Sequence, residues 1–402
     1  MRVCFFNRSY WPDTGATGQL LTELAEDLAA RHGFEVTVVT GQPPPQAGGR
    51  LPRRDTRGGV RVIRAAGTTF SPRRFAGRAT NYLTYFLSAF GTALFLPRQD
   101  VTVALTDPPI IGLAALAARP RCGMVFFCQD IFPEVAGLLE DFQSPAVNAV
   151  LDRLNRFLVA RAARIVALGD TMARRLVAGK GADPARITVI HNWADTSAIA
   201  PAGKDNAFSR AHGLADRLVV LHAGNIGLSQ NLDVVLDAAD LLRARPDIVL
   251  LFIGDGNRRS ALEQAVRSRA LDNVRFLPFQ SRDQLRWTYA TADVCLVSLK
   301  PGLAGYIVPS KLYPILAAGR PFVAAVDDDS EVAAITRQHG CGVVVEPGSA
   351  TALAQQILAL ADDPARRRDM GTRARAASAH FSRDSQVASH ANLLRDVGAR
   401  RC

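Results

Sequence analysis

Ser310 and Lys311 lie between two prolines in the stretch "YIVPSKLYPILAAGRPFVAA". Proline fixes φ and disfavours the helical conformation of the residue before it, so a helix cannot run cleanly through this stretch. Pro314 fits the first turn of a helix and Gly319 fits its end. We therefore expect Ser310 and Lys311 at the entrance of a short helix, where an ammonium and free N–H groups can bind an anion. Taken alone, the pattern also fits a buried loop with a solvated lysine.

Two further loops of the second half are rich in glycine and polar residues. "HAGNIGLSQNLDVVLDAADLL" and "FIGDGNRRSALEQA" each follow an apolar run and each open a helix. Glycine allows backbone N–H groups to approach a phosphate closely. The candidate ligand-binding residues of these loops are Asn225, Gly227, Gln230, Asn231, Gly254 and Asp255. Together with the lysine stretch, three such loops on one sheet edge favour a phosphorylated ligand.

The first half offers one glycine loop and one carboxylate. Gly15 and Gly18 open an amphipathic helix, but the full dinucleotide fingerprint is missing, which disfavours an NAD site. Asp130 follows the apolar run "MVFFC". A carboxylate at the end of a strand can accept a proton or hold a hydroxyl group. The alternative role for Asp130 is a helix N-cap, and both roles can coexist.

These loops need strands to position them. Short β-branched runs alternate with alanine- and leucine-rich segments, which predicts βα units around parallel sheets. The predicted strands are "RVCFF", "EVTVVT", "VRVIRA", "DVTVAL", "GMVFFC", "RIVALG" and "ITVIHN" in the first half, and "LVVLHAG", "IVLLFIG", "VRFLPF", "DVCLVSL", "PFVAAV" and "GVVVEP" in the second. Ligands of such sheets bind beyond the carboxyl ends of the strands, so two facing edges would form a cleft.

The predicted domains are two Rossmann-like units of ordinary size. The small, polar segment that starts at Ala194 is the best linker. We place a first domain at 1–197, a second domain at 198–380 and a C-terminal helix at 381–402, which can pack on either half and return to the first.

Composition indicates a globular protein with an anionic partner. The 402 residues are 48% hydrophobic and 21% charged, with a net charge of +11. The segment Arg50–Arg78 contains nine arginines and a single acidic residue, Asp55. We find no helix-turn-helix, zinc spacing or base-stacking strand, so we predict no nucleic-acid partner. An anionic membrane surface fits better, and a solvated arginine-rich loop is the alternative.

Other segments concern the cellular compartment. The six cysteines are scattered without metal or redox spacing, which indicates a reducing compartment. "MRVCFFNRSYW" turns polar after five residues, so we expect no secretory signal. The run from Tyr82, "YLTYFLSAFGTALFLP", is short for a membrane span and is interpreted as a core or interfacial helix. We expect a cytoplasmic protein that is peripheral on the inner face of the cell membrane.

The chain resembles the retaining GT-B glycosyltransferases of family 4, especially bacterial members that build cell-surface polysaccharides. The resemblance covers nearly the whole chain. It rests on the glycine loop of Gly15 and Gly18, "TDPPIIGLAAL", "QDIFPE", "VIHNWAD", "HAGNIGLSQNLDVVLDAA", "FIGDG" and "PSKLYPILAAGRP", in family order. Each motif is weak by itself, and the ordered set is specific.

The resemblance implies a nucleotide diphosphate sugar held mainly by the second domain and a lipid-linked or surface-glycan acceptor held mainly by the first. It implies transfer with retention, no cofactor and no catalytic metal. Lys311 would then stabilise the departing diphosphate, with Ser310 and the loop amides of Gly227 and Gly254. Asp130 and the loop of Gly15 would face the acceptor and the transferred sugar.

The sequence departs from the family pattern at two places. The usual arginine and lysine of the donor loop are replaced by Asn225 and Gln230, and the two usual glutamates fall on Tyr306 and Pro314. The second glutamate normally holds the donor ribose. The substitutions place more of the diphosphate charge on Lys311, with Arg258 or Arg259 as possible helpers.

Two other functions remain open at this stage. A nucleotide-sugar epimerase on the same fold would use paired acids and histidines, and His191 and His222 are the histidines near strand ends. A non-catalytic nucleotide-sugar-binding protein would explain the missing glutamate. Donor binding without turnover on any acceptor would favour that second alternative.

Overall fold

The structure, a computed structural model, describes residues 1–13, 15–43, 49–70, 75–139 and 144–399. It divides into two compact units. The first comprises Met1–His191, Gly305–Ile307 and the chain from Asp384 onward, and the second comprises Asn192–Ala304 and Val308–Arg383. A tripeptide and the C-terminal segment therefore belong to the first unit although they lie far along the chain.

The first unit is built on an eight-stranded sheet. Its strands are β1 (Arg2–Phe6), β2 (Glu35–Thr40), β3 (Arg54–Arg57), β4 (Val60–Arg64), β5 (Val101–Ala104), β6 (Gly123–Phe127), β7 (Arg164–Ala167) and β8 (Ile187–Val189). Their order is β3-β4-β2-β1-β5-β6-β7-β8. All neighbours are parallel except β3 and β4, which are antiparallel. The order reverses between β1 and β5, so the loops after these strands diverge and leave a crevice.

The second unit is built on a six-stranded, fully parallel sheet. Its strands are β9 (Leu218–Ala223), β10 (Ile248–Ile253), β11 (Val274–Leu277), β12 (Val294–Ser298), β13 (Phe322–Ala325) and β14 (Gly342–Val345). The order is β11-β10-β9-β12-β13-β14, with the reversal between β9 and β12. Every residue of β10 is buried, as expected for a central strand with both faces covered.

Helices connect these strands. They are α1 (Ala16–His32), α2 (Phe75–Leu94), α3 (Gly112–Ala117), α4 (Glu134–Leu138), α5 (Pro145–Arg161), α6 (Asp170–Lys180), α7 (Ala207–Ala211), α8 (Leu232–Leu241), α9 (Arg259–Ser268), α10 (Arg282–Thr291), α11 (Leu312–Ala317), α12 (Glu331–His339), α13 (Ala350–Ala361), α14 (Pro364–Ala377) and α15 (Arg383–Ala399). The predicted amphipathic helix is α1, which buries Leu21, Leu24 and Leu28. It ends at Gly33, whose φ of +72° is the left-handed conformation that favours glycine.

The predicted fold class, two doubly wound parallel α/β domains, is confirmed, and all thirteen predicted strands form. The sequence analysis missed β3. Its sequence "RDTR" is too polar to be read as a strand, and its residues alternate between exposed and partly buried. It is an antiparallel edge strand, held by pairing with β4 through Asp55 and Val62 among others. Charged residues are common on edge strands because they discourage pairing with other chains.

The C-terminal helix α15 lies on the first unit from Asp384 onward. The His390 and Phe127 rings are 4.8 Å apart, which packs α15 against the end of β6. The Gln386 side chain accepts a hydrogen bond from the His191 N–H at 3.1 Å, just after β8. The last helix thus closes the half of the first sheet that carries β6, β7 and β8.

Two further observations concern membrane-spanning helices and the cysteines. In the part of the chain that the structure describes, no helix combines the length and the apolar character that crossing a bilayer requires. The thiols of Cys4, Cys128, Cys295 and Cys341 are free and buried, as expected for small apolar side chains in strands and loops of the core.

Candidate active site

Lys311 lies at the N-cap of α11, at the entrance of a short helix as the sequence predicts. Its residue is 9% exposed, and burial lowers the pKa of its ammonium to about 7. The Nζ atom lies 3.1 Å from Nε2 and 3.4 Å from Nδ1 of His222 on β9. Helix α11 has only six residues, so its dipole adds little. The positive charge at this point therefore depends on the side chain itself.

The loop after β9 lies directly beside this lysine. Gly224 has a φ of +125°, and a Cβ at this residue would lie 3.8 Å from Cε of Lys311. The side chains of Asn225 and Ser310 form no hydrogen bond with other described residues, so both are available to a ligand. Asn231 ends the loop in a left-handed conformation with a φ of +48°, which asparagine tolerates well.

The two backbone N–H groups that were expected to bind the diphosphate, those of Gly227 and Gly254, form hydrogen bonds within the protein. The Gly227 N–H donates to Oε1 of Gln230 at 2.9 Å, and the Gly254 N–H donates to the Leu277 carbonyl at 3.1 Å. Gln230 is buried and also donates through Nε2 to Oγ of Ser229 at 2.7 Å. Its amide thus shapes the loop. A ligand could gain these two N–H groups only by replacing existing bonds.

The loops after β9 and β10 pack closely through their glycines. A Cβ at Gly254 would lie 1.9 Å from the Gly224 carbonyl oxygen, and one at Gly256 would lie 2.3 Å from that of Ile226. Asp255 joins the two loops, because its carbonyl accepts from the Ile226 N–H at 2.9 Å. Its carboxylate accepts from the Gly256 N–H at 2.8 Å. The glycines of "FIGDG" are therefore required by loop packing.

The two arginines considered as helpers are engaged elsewhere. Arg258 forms an ion pair with Asp233 at 2.7 Å. Arg259 forms one with Glu263 at 2.8 Å and donates to the Gly254 carbonyl at 2.5 Å. Lys311 differs from both because the imidazole of His222 lies beside its ammonium and, among the described residues, no carboxylate forms an ion pair with it.

The residues at the two glutamate positions of the family are placed differently. Pro314 is the third residue of α11, where its missing N–H is tolerated. Tyr306 belongs to the first unit, where its carbonyl accepts from the Ile131 N–H at 3.0 Å. The Arg175 guanidinium lies 4.9 Å from the centre of its ring. Neither position supplies a carboxylate.

In the first unit, Asp130 lies beyond the end of β6 and Asp107 beyond the end of the neighbouring β5. Burial, and secondly the Asp107 carboxylate, raise the pKa of Asp130 to about 7. The Asp130 N–H donates to Oγ1 of Thr106 at 3.2 Å. Asp130 does not cap α4, whose N-cap is Pro133 with no side-chain bond.

Arg8 and Ser9 follow β1 and fix the Asp107 carboxylate. Arg8 Nε lies 3.2 Å from Oδ1, and the Ser9 hydroxyl donates to Oδ2 at 2.8 Å. The attraction to Asp107 raises the pKa of Arg8. The Arg8 guanidinium also lies 5.3 Å from the centre of the Tyr82 ring on α2. Arg8 and Ser9 thus hold both oxygens of the Asp107 side chain, and the Asp107 carboxylate opposes ionisation of Asp130.

The first glycine loop leads into α1. The Gly15 N–H donates to Oδ1 of Asp13 at 2.9 Å, and the Gly15 carbonyl accepts from the Gln19 N–H at 3.0 Å. A Cβ at Gly18 would lie 3.2 Å from Cβ of Asp13 and 3.4 Å from the Tyr10 nitrogen. The loop is tight at both glycines.

Arg8, Asp107 and the pairing of His222 with Lys311 were not predicted from the sequence. A signal for Asp107 was available, because Asp107 and Asp130 each lie three residues beyond the end of a strand. The His222 contact joins residues 89 positions apart. It depends on the pairing of β9 with β12, which the sequence pattern does not specify.

Family comparisons agree with this architecture. A model of the glycosyl transferase 4-like domain matches residues 15–193, and a model of the glycosyl transferases group 1 matches residues 205–377. The two matched segments correspond to the two sheet-bearing parts of the chain. The chain is therefore a glycosyltransferase of the GT-B type.

Among curated relatives, the chain is 30% identical over 270 residues to "Probable glycosyltransferase WbjE" of Pseudomonas aeruginosa. This alignment covers 65% of this chain and 66% of the relative. It is 25% identical over 375 residues to "Putative colanic acid biosynthesis glycosyl transferase WcaI" of Escherichia coli, which covers 89% and 91%. The alignment to the first relative thus spans just under two thirds of its length.

Solved structures share the fold over the whole chain. Sucrose-phosphate synthase from Thermosynechococcus elongatus has a TM-score of 0.79 at 19% identity and covers 99% of each chain. HepE from Anabaena, solved in complex with UDP-glucose, has a TM-score of 0.75 at 18% identity and covers 98% of this chain and 100% of that one. At these identities the similarity supports the fold.

Proposed function

We propose that the protein transfers a hexosyl group, with retention, from a nucleotide diphosphate sugar to a lipid-linked or surface-glycan acceptor. Lys311, Ser310 and Asn225 would bind the diphosphate. Asp130 and the loop of Gly15 and Gly18 would contact the acceptor and the transferred sugar.

The observation that carries this proposal is the setting of Lys311. It is a buried lysine beside Gly224, and within the described ranges of the chain it has no carboxylate partner and the side chains of Asn225 and Ser310 form no hydrogen bond. A buried ammonium is normally costly unless an anion compensates it. Because none of the residues that the structure describes supplies such an anion, we infer that the substrate supplies it as a diphosphate.

The comparisons support the substrate class. HepE, which shares the fold, was solved with UDP-glucose. WcaI is named for colanic acid biosynthesis, which motivates the choice of a surface-glycan acceptor. The retaining outcome rests on the resemblance of the ordered motifs to retaining family members.

The proposed reaction breaks the bond between the anomeric carbon and the diphosphate oxygen and forms a bond from that carbon to the acceptor oxygen. The acceptor proton passes to the departing diphosphate when attack occurs on the leaving-group side. Lys311 stabilises the negative charge that develops on the leaving group. A covalent intermediate is the alternative route to retention, and it would need a nucleophilic carboxylate near the anomeric carbon.

We include in the proposal that the transferase needs no metal ion or cofactor. In this account the ammonium and hydroxyl groups of the protein do the work that a divalent cation does in other phosphate-releasing enzymes. Turnover should therefore survive excess EDTA. Loss of activity with EDTA and recovery with Mg²⁺ or Mn²⁺ would overturn this part.

We also propose that the first unit docks on an anionic membrane at the inner face of the cell membrane. Arg53, Arg54 and Arg61 are exposed and line a groove of about 680 Å³, together with Phe95. Exposed apolar side chains continue along and just beyond α2: Leu83, Leu87, Leu94 and Phe95. Guanidinium groups beside an apolar stripe suit phosphate headgroups and acyl chains. Arg73 and Arg74 of the same basic segment lie outside the described residues.

The experiment that tests the function is a screen of nucleotide sugars by thermal shift, followed by turnover with each one that binds. Ligand binding stabilises the native state, so a donor should raise the melting temperature. The proposal predicts that a donor that binds is also turned over, either by slow hydrolysis or by transfer of its sugar to an acceptor in a glycan-lipid extract. The product should retain the anomeric configuration of the donor sugar. Binding without any turnover would favour a non-catalytic binder, and interconversion of the sugar would favour an epimerase.

A further inference from the structure

His222 occupies a position that ordinary packing does not explain. Its residue is fully buried on β9, with its ring 5.6 Å from the ring of Phe252. Both ring nitrogens lie within hydrogen-bond distance of Lys311 Nζ, and Nε2 lies 3.3 Å from the Asn225 carbonyl oxygen. One buried imidazole thus touches the ammonium and the backbone of the donor loop.

The partners determine the protonation state of this ring. A charged imidazole would place two buried cations about 3 Å apart without a carboxylate, so the ring is neutral. The carbonyl of Asn225 can only accept, which assigns the ring proton to Nε2. The lone pair of Nδ1, 3.4 Å from Nζ, then remains to accept from Lys311, and the 3.1 Å approach of Nζ to the protonated Nε2 is a contact without a hydrogen bond.

A neutral partner leaves the positive charge of Lys311 available to a ligand, whereas an acidic partner would neutralise it. A carboxylate in place of His222 would hold the lysine but would cancel its charge and compete with an anionic ligand. The imidazole holds Nζ without cancelling the charge. The titratable and charged groups that face Lys311 are limited to His222 among the contacts of the described residues.

We propose that His222 is a positioning residue that holds the Lys311 ammonium in place for the donor diphosphate and ties it to the donor loop through the Asn225 carbonyl. This role rests on the donor-binding function proposed for Lys311. When the diphosphate binds, it becomes the second partner of Lys311 Nζ. His222 then keeps the Lys311 side chain in place.

The test compares two substitutions of His222 with one control. His222→Gln retains an oxygen that can accept from Lys311, whereas His222→Leu fills similar space without a hydrogen-bonding atom. His390→Leu removes a different buried histidine, on α15 of the first unit. The probe is whichever of UDP-glucose, GDP-mannose, ADP-glucose and dTDP-glucose raises the melting temperature of the wild type most.

The role predicts that His222→Leu weakens probe binding by about tenfold or more, the effect of losing a hydrogen bond to a charged group. It also predicts that binding in this variant is lost at lower pH than in the wild type, because Lys311 loses a polar neighbour. His222→Gln should recover most of the affinity, and His390→Leu should bind normally. The role is overturned if His222→Leu keeps wild-type affinity and pH dependence, or if His222→Gln is as impaired as His222→Leu.

Lys311→Met separates this inference from the proposed function. If Lys311→Met binds the probe as well as the wild type, or if the wild type binds none of the four probes, the donor-binding function of Lys311 fails and the role of His222 fails with it. If Lys311→Met is impaired while His222→Leu is normal, only the positioning role fails.

Discussion

Asp107 and Asp130 lie at equivalent positions beyond the neighbouring strands β5 and β6, and the charge of the first opposes ionisation of the second. Arg8 and Ser9 contact the Asp107 carboxylate, whereas no such ion pair forms at Asp130 within the described part of the chain. Burial and the Asp107 charge together favour the protonated form of Asp130. A carboxyl group with a raised pKa can hold a proton near neutral pH.

We predict that Asp130→Asn is more stable than the wild type at pH 8, and that this difference shrinks as the pH falls. The pKa of Asp130 is about 7 in the folded protein and 3.8 in the reference state, so the folded state resists ionisation. The resulting cost is complete above pH 7, decreases below it and is absent below pH 3.8. Melting temperatures from pH 4.5 to 8 would measure it, and a constant difference would contradict the assignment. Asp107→Asn should reduce the cost, since it removes the opposing charge.

We predict that Lys311→Met raises the melting temperature of the free protein by a few degrees at pH 7 and abolishes stabilisation by the donor. The folded pKa of about 7 lies below the reference value of 10.5, so burial of the charge costs stability. This cost is complete below pH 7, decreases between pH 7 and 10.5 and then disappears. Thermal scans with and without donor measure both effects. A Met variant that is less stable than the wild type and still responds to donor would contradict the account.

We predict that Gly254→Ala destabilises the second unit by about 3 kcal/mol or more. The added Cβ would meet the Gly224 carbonyl, and the φ of +148° disfavours any residue with a side chain. Gly203→Ala is the matched control, because a Cβ there meets nothing within 4 Å. Urea unfolding of the three proteins measures the difference. Equal midpoints for Gly254→Ala and the wild type would show that the close loop packing is wrong.

We predict salt-sensitive binding of the protein to anionic vesicles through the arginine groove and the apolar stripe. The double variant Arg53→Gln/Arg54→Gln should lose most binding to vesicles that contain phosphatidylglycerol, because each arginine near the surface contributes about 1 kcal/mol. Arg366→Gln/Arg368→Gln removes the same charge from exposed positions on α14 and should bind normally. Co-sedimentation at low and high salt measures this. Equal binding to neutral and anionic vesicles would refute the docking surface.

Much of the fold could be predicted because its signals are local. Apolar β-branched runs predicted thirteen strands, and the prolines and glycine around Lys311 predicted the short helix α11. The strand β3 was missed because its stability comes from pairing with β4 and not from its own composition. Local sequence patterns could not predict that Gly305–Ile307 belongs to the first unit either, because this placement depends on contacts such as that of Tyr306 with Ile131.

The main residues of the candidate site could be predicted from the sequence, but the groups that contact them could not. Lys311 was predicted from the prolines around it and Asp130 from its position after a strand, yet the groups next to them, His222 and Asp107, come from other strands. The amides of Gly227 and Gly254 illustrate the limit. Glycine-rich loops suggested free N–H donors, and the structure shows both N–H groups bonded within the protein. The same glycines are needed because the loops touch.

The central claim is that Lys311 provides the charge that receives the donor diphosphate. Calorimetric titration at pH 8 with the best-binding nucleotide sugar, in two buffers of different ionisation enthalpy, measures the protons taken up on binding. Because the pKa of Lys311 is about 7, this side chain is largely uncharged at pH 8 in the free protein, and the diphosphate should raise its pKa. The account predicts proton uptake by the wild type and weaker binding without that uptake by Lys311→Met. Equal affinity and equal proton uptake in the two proteins would contradict it.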